Sequence, residues 1–285
     1  MPMLYVPKMP RLTECIGLYG QNGTGKGKSV IDMMRRMPDR HFHVMDTDAS
    51  YEFSIYEDDE RNKKVIDNEN FTIHVPDSTN WEDQKRVLKE IEDTTDRGDW
   101  AIFDHLDPLW ESVPGWYTKI FLGLDETEYK ATVRKALQEK RDKQLEKEGA
   151  KGDRTAPLFD QLRDYTYLNP EYKKTVYGLF KRLNGKGVHV MCMAHAKPIA
   201  DNTDMSLRKR YRPFKEMPAG QKSLTDAVNT MLHLTWDGDE EWQISTAKDR
   251  GSRTRAEIKL VKEDWDDFTK VYLSPVAGWH MEKVD

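Results

Sequence analysis

Two glycine–lysine steps stand side by side in Gly25-Lys26-Gly27-Lys28-Ser29, at the end of a run, Gly20-Gln21-Asn22-Gly23-Thr24, that is itself rich in turn-forming residues. A glycine-rich turn that leaves a strand and opens a helix aims several backbone N–H groups at one point, and the helix dipole adds to their pull on an anion. That is phosphate-binding chemistry, and GxxxxGK[ST] is its spacing. The doubled step allows two registers. In the first, Gly20 opens the motif and Lys26 meets the phosphates, but Gly27 stands where a magnesium-binding hydroxyl belongs. In the second, Asn22 opens the motif, Lys28 meets the phosphates and Ser29 supplies the hydroxyl. Asn is, after glycine, the residue most tolerant of left-handed backbone. The second register is preferred for its hydroxyl, with Gly20, Asn22, Gly23, Thr24, Gly25, Lys26, Gly27, Lys28, Ser29 and Val30 as the nucleotide cradle.

Two acids extend this chemistry. Asp104 closes the apolar run WAIFD, where a carboxylate can hold Mg²⁺ through water alongside Ser29. Asp48, in MDTDAS, follows a second apolar run and can orient an attacking water; Asp46 and Asp107 are alternatives for that task.

The elements that must position these groups follow from periodicity. Residues 14–19, 41–46, 71–75, 100–104 and 187–194 read as strands, with helices after the glycine turn, over 81–95 and over 170–183. Residues 228–236, 242–247 and 256–261 read as closing strands. This alternation predicts an α/β fold with a mostly parallel central sheet flanked by helices. A length of 285 residues fits one large domain over 1–285. Within it, 111–170 is expected to be a helical insertion, because 126–151 is heavily charged with few apolar anchors.

Net charge is −5, from 45 Lys and Arg against 50 Asp and Glu, which excludes binding nucleic acid through bulk positive charge. Any basic site must be local. Residues 196–224 form such a segment, holding Arg208, Lys209, Arg210, Arg212 and Lys215 with Tyr211 and Phe214 among them. Cations neutralise backbone phosphates while aromatic faces accept unstacked bases, a combination suited to single strands. Two cysteines build neither a disulfide framework nor a four-cysteine zinc site, which fits a reducing cytoplasm. His41 and His43 alternate on a strand with no further metal ligand nearby. No stretch is long and apolar enough to be a signal peptide or a membrane span, so no membrane partner is expected.

The order of these features resembles the RecA-like ATPases, a P-loop NTPase group of recombinases, hexameric helicases and the single-strand-annealing ATPases of phages. The resemblance rests on short motifs and covers most of the chain outside the insertion. It implies that MDTDAS carries the catalytic acid at Asp48, that IFDHLD is the Walker B strand with Asp104, and that HVMCMAH ends in a γ-phosphate sensor at His195. It also implies that QISTAKDRG carries a Lys-x-Arg pair, Lys248 and Arg250, reaching the neighbouring subunit's nucleotide. The function implied is Mg²⁺-dependent ATP hydrolysis by a cytoplasmic homo-oligomer, ring or filament, acting on single-stranded DNA in recombination, repair or replication, of phage type. Two alternatives stand beside it. Gly20 to Gly27 also resembles the loop of adenylate kinases, which suggests a nucleotide or small-molecule kinase. A non-hydrolysing, ATP-gated DNA-binding module is the other.

Overall fold

A computed structural model of the chain describes residues 13–51, 55, 65–125, 127–129, 131–132, 135–136, 139, 142–143, 168–201, 203–236, 241–249 and 258–261. Its centre is one sheet. Strand β1 (Cys15–Gly20) lies between β5 (His189–Pro198) and β7 (Thr230–Trp236), parallel to both. Outward from β5 run β4 (Trp100–Asp104), β2 (Phe42–Asp46) and β3 (Phe71–His74), all parallel. Beyond β7, the sheet turns antiparallel through β8 (Glu241–Asp249) and β9 (Ile258–Val261). A three-residue strand, β6 (Glu216–Pro218), pairs antiparallel with the end of β5. The α/β architecture expected from the sequence is thus the one observed.

Every residue of β1, β2 and β4 is buried, as parallel strands covered on both faces require. Successive side chains divide between two cores. Ile16, Leu18, Met191, Met193, Leu232 and Leu234 face helix α1 (Lys26–Arg36), which contributes Val30, Met33 and Met34. Cys15, Val190, Cys192 and Ala194 face the other side. There they meet α2 (Trp81–Thr94), α3 (Leu106–Tyr117) and α4 (Gly178–Lys186), through residues such as Trp81, Leu109, Val113 and Phe180. Each such side chain contributes about 1.5–3 kcal/mol by leaving water.

Helix α3 continues through Pro114 to Tyr117, and its Val113 is fully buried against the sheet-facing core. The charged stretch 126–151 lies largely outside the described residues.

Candidate nucleotide site

The strand ends bring the site together. Register pairs Gly20 with His195 on one side and with Leu234 on the other, and Asp46 with Asp104. All of these are carboxyl ends of parallel strands, the edge where α/β sheets open a ligand crevice. At Gly20 a Cβ atom would fall 2.3 Å from the Leu234 carbonyl oxygen and 2.6 Å from Thr24 Oγ1, so only glycine fits. Gly25, at φ 83°, turns the chain into α1 through the left-handed region.

Helix α1 starts at Lys26, and Lys26 is buried. Its Nζ donates to the carbonyls of Gly20 and Gln21, 3.0 Å from each. Burial lowers the pKa of this ammonium, while the charges of Asp104 and Asp107 pull the other way. Gly20 thus ends the strand, and Lys26 folds over the turn that follows it. Lys28, the lysine of the register preferred from sequence, is exposed. Ser29 is buried, and its Oγ donates to the Gly25 carbonyl at 3.0 Å. Asn22 and Gly23 are exposed, Thr24 Oγ1 donates to Gln21 O at 2.8 Å, and Val30 is a core residue. Gly27 follows Lys26 within 4 Å of the Tyr51 ring only through a Cβ it lacks.

Asp104 is buried, with its main-chain carbonyl accepting from Thr47 N–H at 2.8 Å and Thr47 Oγ1 at 2.9 Å. His105 follows through a cis peptide, and its Nε2 lies 2.9 Å from Asp104 Oδ1. Burial opposes charge on His105, but the Asp104 carboxylate outweighs it and the pKa of the ring is raised. Asp46 is fully buried and accepts the Tyr51 N–H at 2.8 Å; burial pushes its carboxyl up to about 6. Asp48 is exposed. Partial desolvation works against its charge, yet hydrogen bonds with Asp46 and Ser50 and the nearby His105 hold it below the ordinary carboxylate value.

His195 ends the apolar part of β5. Its Nδ1 lies 2.7 Å from Asp107 Oδ2, its backbone N–H donates to Asp107 Oδ1 at 3.2 Å, and its ring stacks on His105 at 4.2 Å. Asp107 occupies the first turn of α3. The Asp107–His195 pairing has no signal in sequence spacing, since 88 residues separate the two.

Lys248 lies elsewhere. It is level with Met231 near the start of β7, whereas Gly20 is level with Leu234. Its Nζ donates to the carbonyls of Thr225 and, at 2.8 Å, Val228. Arg250 is outside the described residues.

The basic segment folds into α5 (Met205–Tyr211) and a 3-10 turn, Arg212–Phe214. Arg208, Lys209, Arg210, Arg212 and Lys215 are all exposed, with Arg208 paired to Asp201 at 3.0 Å. Tyr211, expected to stack on bases, is instead a core residue. It is fully buried, its hydroxyl bonds Thr225 Oγ1, and its ring meets Tyr19 edge-on at 5.7 Å. Phe214 is half-buried, edge-on to His233 at 5.5 Å.

Among the described residues no group of three or more His, Cys, Asp or Glu side chains forms a metal-binding cluster, and no helix is long and apolar enough to cross a membrane. No protein-family model matches the sequence, and no curated protein matches it. Among solved structures, the crystal structure of the RadB recombinase is similar, with a TM-score of 0.52 and 12% identity over 88% of each chain. The likeness shows that this chain has a RecA-like fold.

Proposed function

We propose that this protein binds and hydrolyses ATP with Mg²⁺ as a homo-oligomer, and that nucleotide state governs its hold on single-stranded DNA in recombination, repair or replication, in the manner of phage annealing ATPases. The observation that carries the reading is Lys26, a buried cation at the mouth of a glycine turn whose hydrogen-bond partners among the described residues are two carbonyls that a phosphate group would replace. A nucleotide's phosphates would offer its ammonium stronger, charge-assisted partners. The backbone N–H groups at the start of α1 add to that attraction.

Asp104 fits a magnesium ion's water shell, being buried at the strand end facing the loop lysine. When bound, the ion would neutralise phosphate charge. Ser29 gives its hydroxyl proton to the Gly25 carbonyl and keeps its oxygen lone pairs, so it would serve with Asp104 as a protein ligand of the ion. Asp48, ionised and exposed at the end of β2, would orient water. Five exposed cations on α5 and its following turn would meet the DNA backbone. The cross-subunit roles of Lys248 and Arg250 belong to the same proposal, with Lys248 released from its own carbonyls on assembly.

The test is phosphate release from ATP with and without a single-stranded oligonucleotide. Mg²⁺-dependent release that DNA stimulates supports the proposal; no release under either condition refutes hydrolysis.

One observation favours a second reading. The lysine folded over the loop is followed by Gly27, the adenylate-kinase-like spacing, so transfer to an acceptor is the competing chemistry. Incubation with ATP and nucleoside monophosphates separates the two, since a kinase makes diphosphates and an ATPase makes free phosphate.

A further inference from the structure

Asp107 gives both carboxylate oxygens to a single residue, accepting the backbone N–H of His195 at 3.2 Å and meeting its ring Nδ1 at 2.7 Å. A carboxylate accepts, so Nδ1 is the donor in this bond, and the neutral tautomer that donates from Nδ1 has its lone pair on Nε2. Main chain and ring are held by the same acid, and His105 covers one ring face at 4.2 Å. The His195 side chain is 35% exposed, and among the described residues no protein group bonds its Nε2. Strand register pairs His195 with Gly20, the residue at which the phosphate loop begins.

A sensor amide reports on a phosphate by donating to it. A neutral imidazole that donates from Nδ1 does the opposite, keeping only an acceptor at Nε2. We infer that His195 is the base that takes the proton of the attacking water, and that Asp107 is the positioning residue that fixes its tautomer and aim. This rests on the proposed ATP hydrolysis.

In the step, the water oxygen bonds to the γ-phosphorus as one of its O–H protons passes to Nε2. The bond from the γ-phosphorus to the bridging oxygen breaks, and its electron pair stays on ADP. Products are ADP and inorganic phosphate. The positive charge formed on the ring is met by the Asp107 carboxylate, the arrangement that serves histidine bases in acyl transfer. His195 then returns its proton to solvent.

The experiment compares full-length wild type with His195→Gln, Asp107→Asn and His195→Ala, measuring equilibrium affinity for a fluorescent ATP analogue and steady-state phosphate release. Glutamine can still donate to a phosphate but cannot take a proton, and asparagine keeps the shape of Asp107 while removing its charge. The expected result is analogue affinity within about threefold of wild type, with turnover lowered about 10²–10⁴-fold in His195→Gln and Asp107→Asn. Added imidazole is expected to restore turnover to His195→Ala, which a merely structural role would not allow. His195→Gln turning over at the wild-type rate, or His195→Ala staying inactive in imidazole, would overturn the inference while leaving ATP hydrolysis intact. Wild type that binds no analogue would instead defeat the nucleotide-binding proposal beneath it.

Discussion

Gln21 Nε2, in the glycine-rich loop after β1, donates to Glu216 Oε1 at 2.5 Å, and Glu216 begins β6 immediately after Lys215 of the basic segment. The loop and strand β6, which follows the basic helix, therefore share one hydrogen bond. The same glutamate approaches His233 Nε2 at 3.5 Å, and His233 stacks on Tyr19 and meets Phe214 edge-on. A change at Gln21 has a short physical route to α5.

If nucleotide binding draws Gln21 toward phosphate, Glu216→Ala should uncouple the two sites. In wild type, saturating ATP analogue is expected to change single-stranded DNA affinity by at least about fivefold, the lower end of ordinary coupling energies. In Glu216→Ala that ratio should fall below about twofold, with ATP affinity nearly unchanged. Fluorescence anisotropy of a labelled oligonucleotide, with and without analogue, measures both; an unchanged ratio would remove Glu216 from the route.

The exposed cations and the buried tyrosine of α5 should separate cleanly. Each of Arg208, Lys209, Arg210, Arg212 and Lys215 that contacts phosphate should, when replaced by alanine, flatten the salt dependence of single-strand binding by about 0.7 in log–log slope. Tyr211→Phe should leave DNA affinity unchanged while lowering stability by about 1 kcal/mol through the lost bond to Thr225. Tyr211→Ala should cost about 3–5 kcal/mol. A loss of DNA affinity in Tyr211→Phe with an unchanged urea midpoint would contradict this division.

Acid should destabilise the fold. His189 Nδ1 accepts the Glu14 backbone N–H at 3.0 Å, and burial lowers the pKa of this ring to about 4. His43 is also lowered to about 4, by burial first and then by His41 and His74, against an opposing pull from Asp99. Both rings bind protons more readily when unfolded, so their stabilisation is complete above about pH 6.5 and is lost as pH falls toward 4. Asp46, raised to about 6, works in the opposite sense over nearly the same range and offsets one histidine. The net loss between pH 7 and pH 4.5 is on the order of 2 kcal/mol, read as a lower urea midpoint. His189→Gln should shrink that loss. A midpoint that rises on acidification would contradict the assignment.

The sequence makes the scaffold of the site readable because its apolar runs stop at polar residues. WAIFD ends at Asp104 together with its strand, and HVMCMA ends before His195, where the burial of β5 stops although the strand runs on to Pro198. The loop register is different. Motif spacing counts residues, whereas the last residue of β1 is fixed by ladders to β5 and β7, which carry the strand through Gly20. Tyr211 does carry a readable signal: Leu207, Tyr211 and Phe214 recur at i, i+4 and i+7, the inner face of a helix, among cations that draw attention outward. Strand β6 is too short to show a period. The partnership of Asp107 with His195 depends wholly on α3 returning its first turn to the end of β5.

The most direct measurement is calorimetric titration of ATP with Mg²⁺ into wild type, Lys26→Ala and Lys28→Ala. Because Lys26 is the buried lysine on the loop carbonyls and Lys28 is exposed, Lys26→Ala should lose on the order of 100-fold in affinity and Lys28→Ala less than about threefold. Equal binding by wild type and Lys26→Ala would contradict a nucleotide site at this loop.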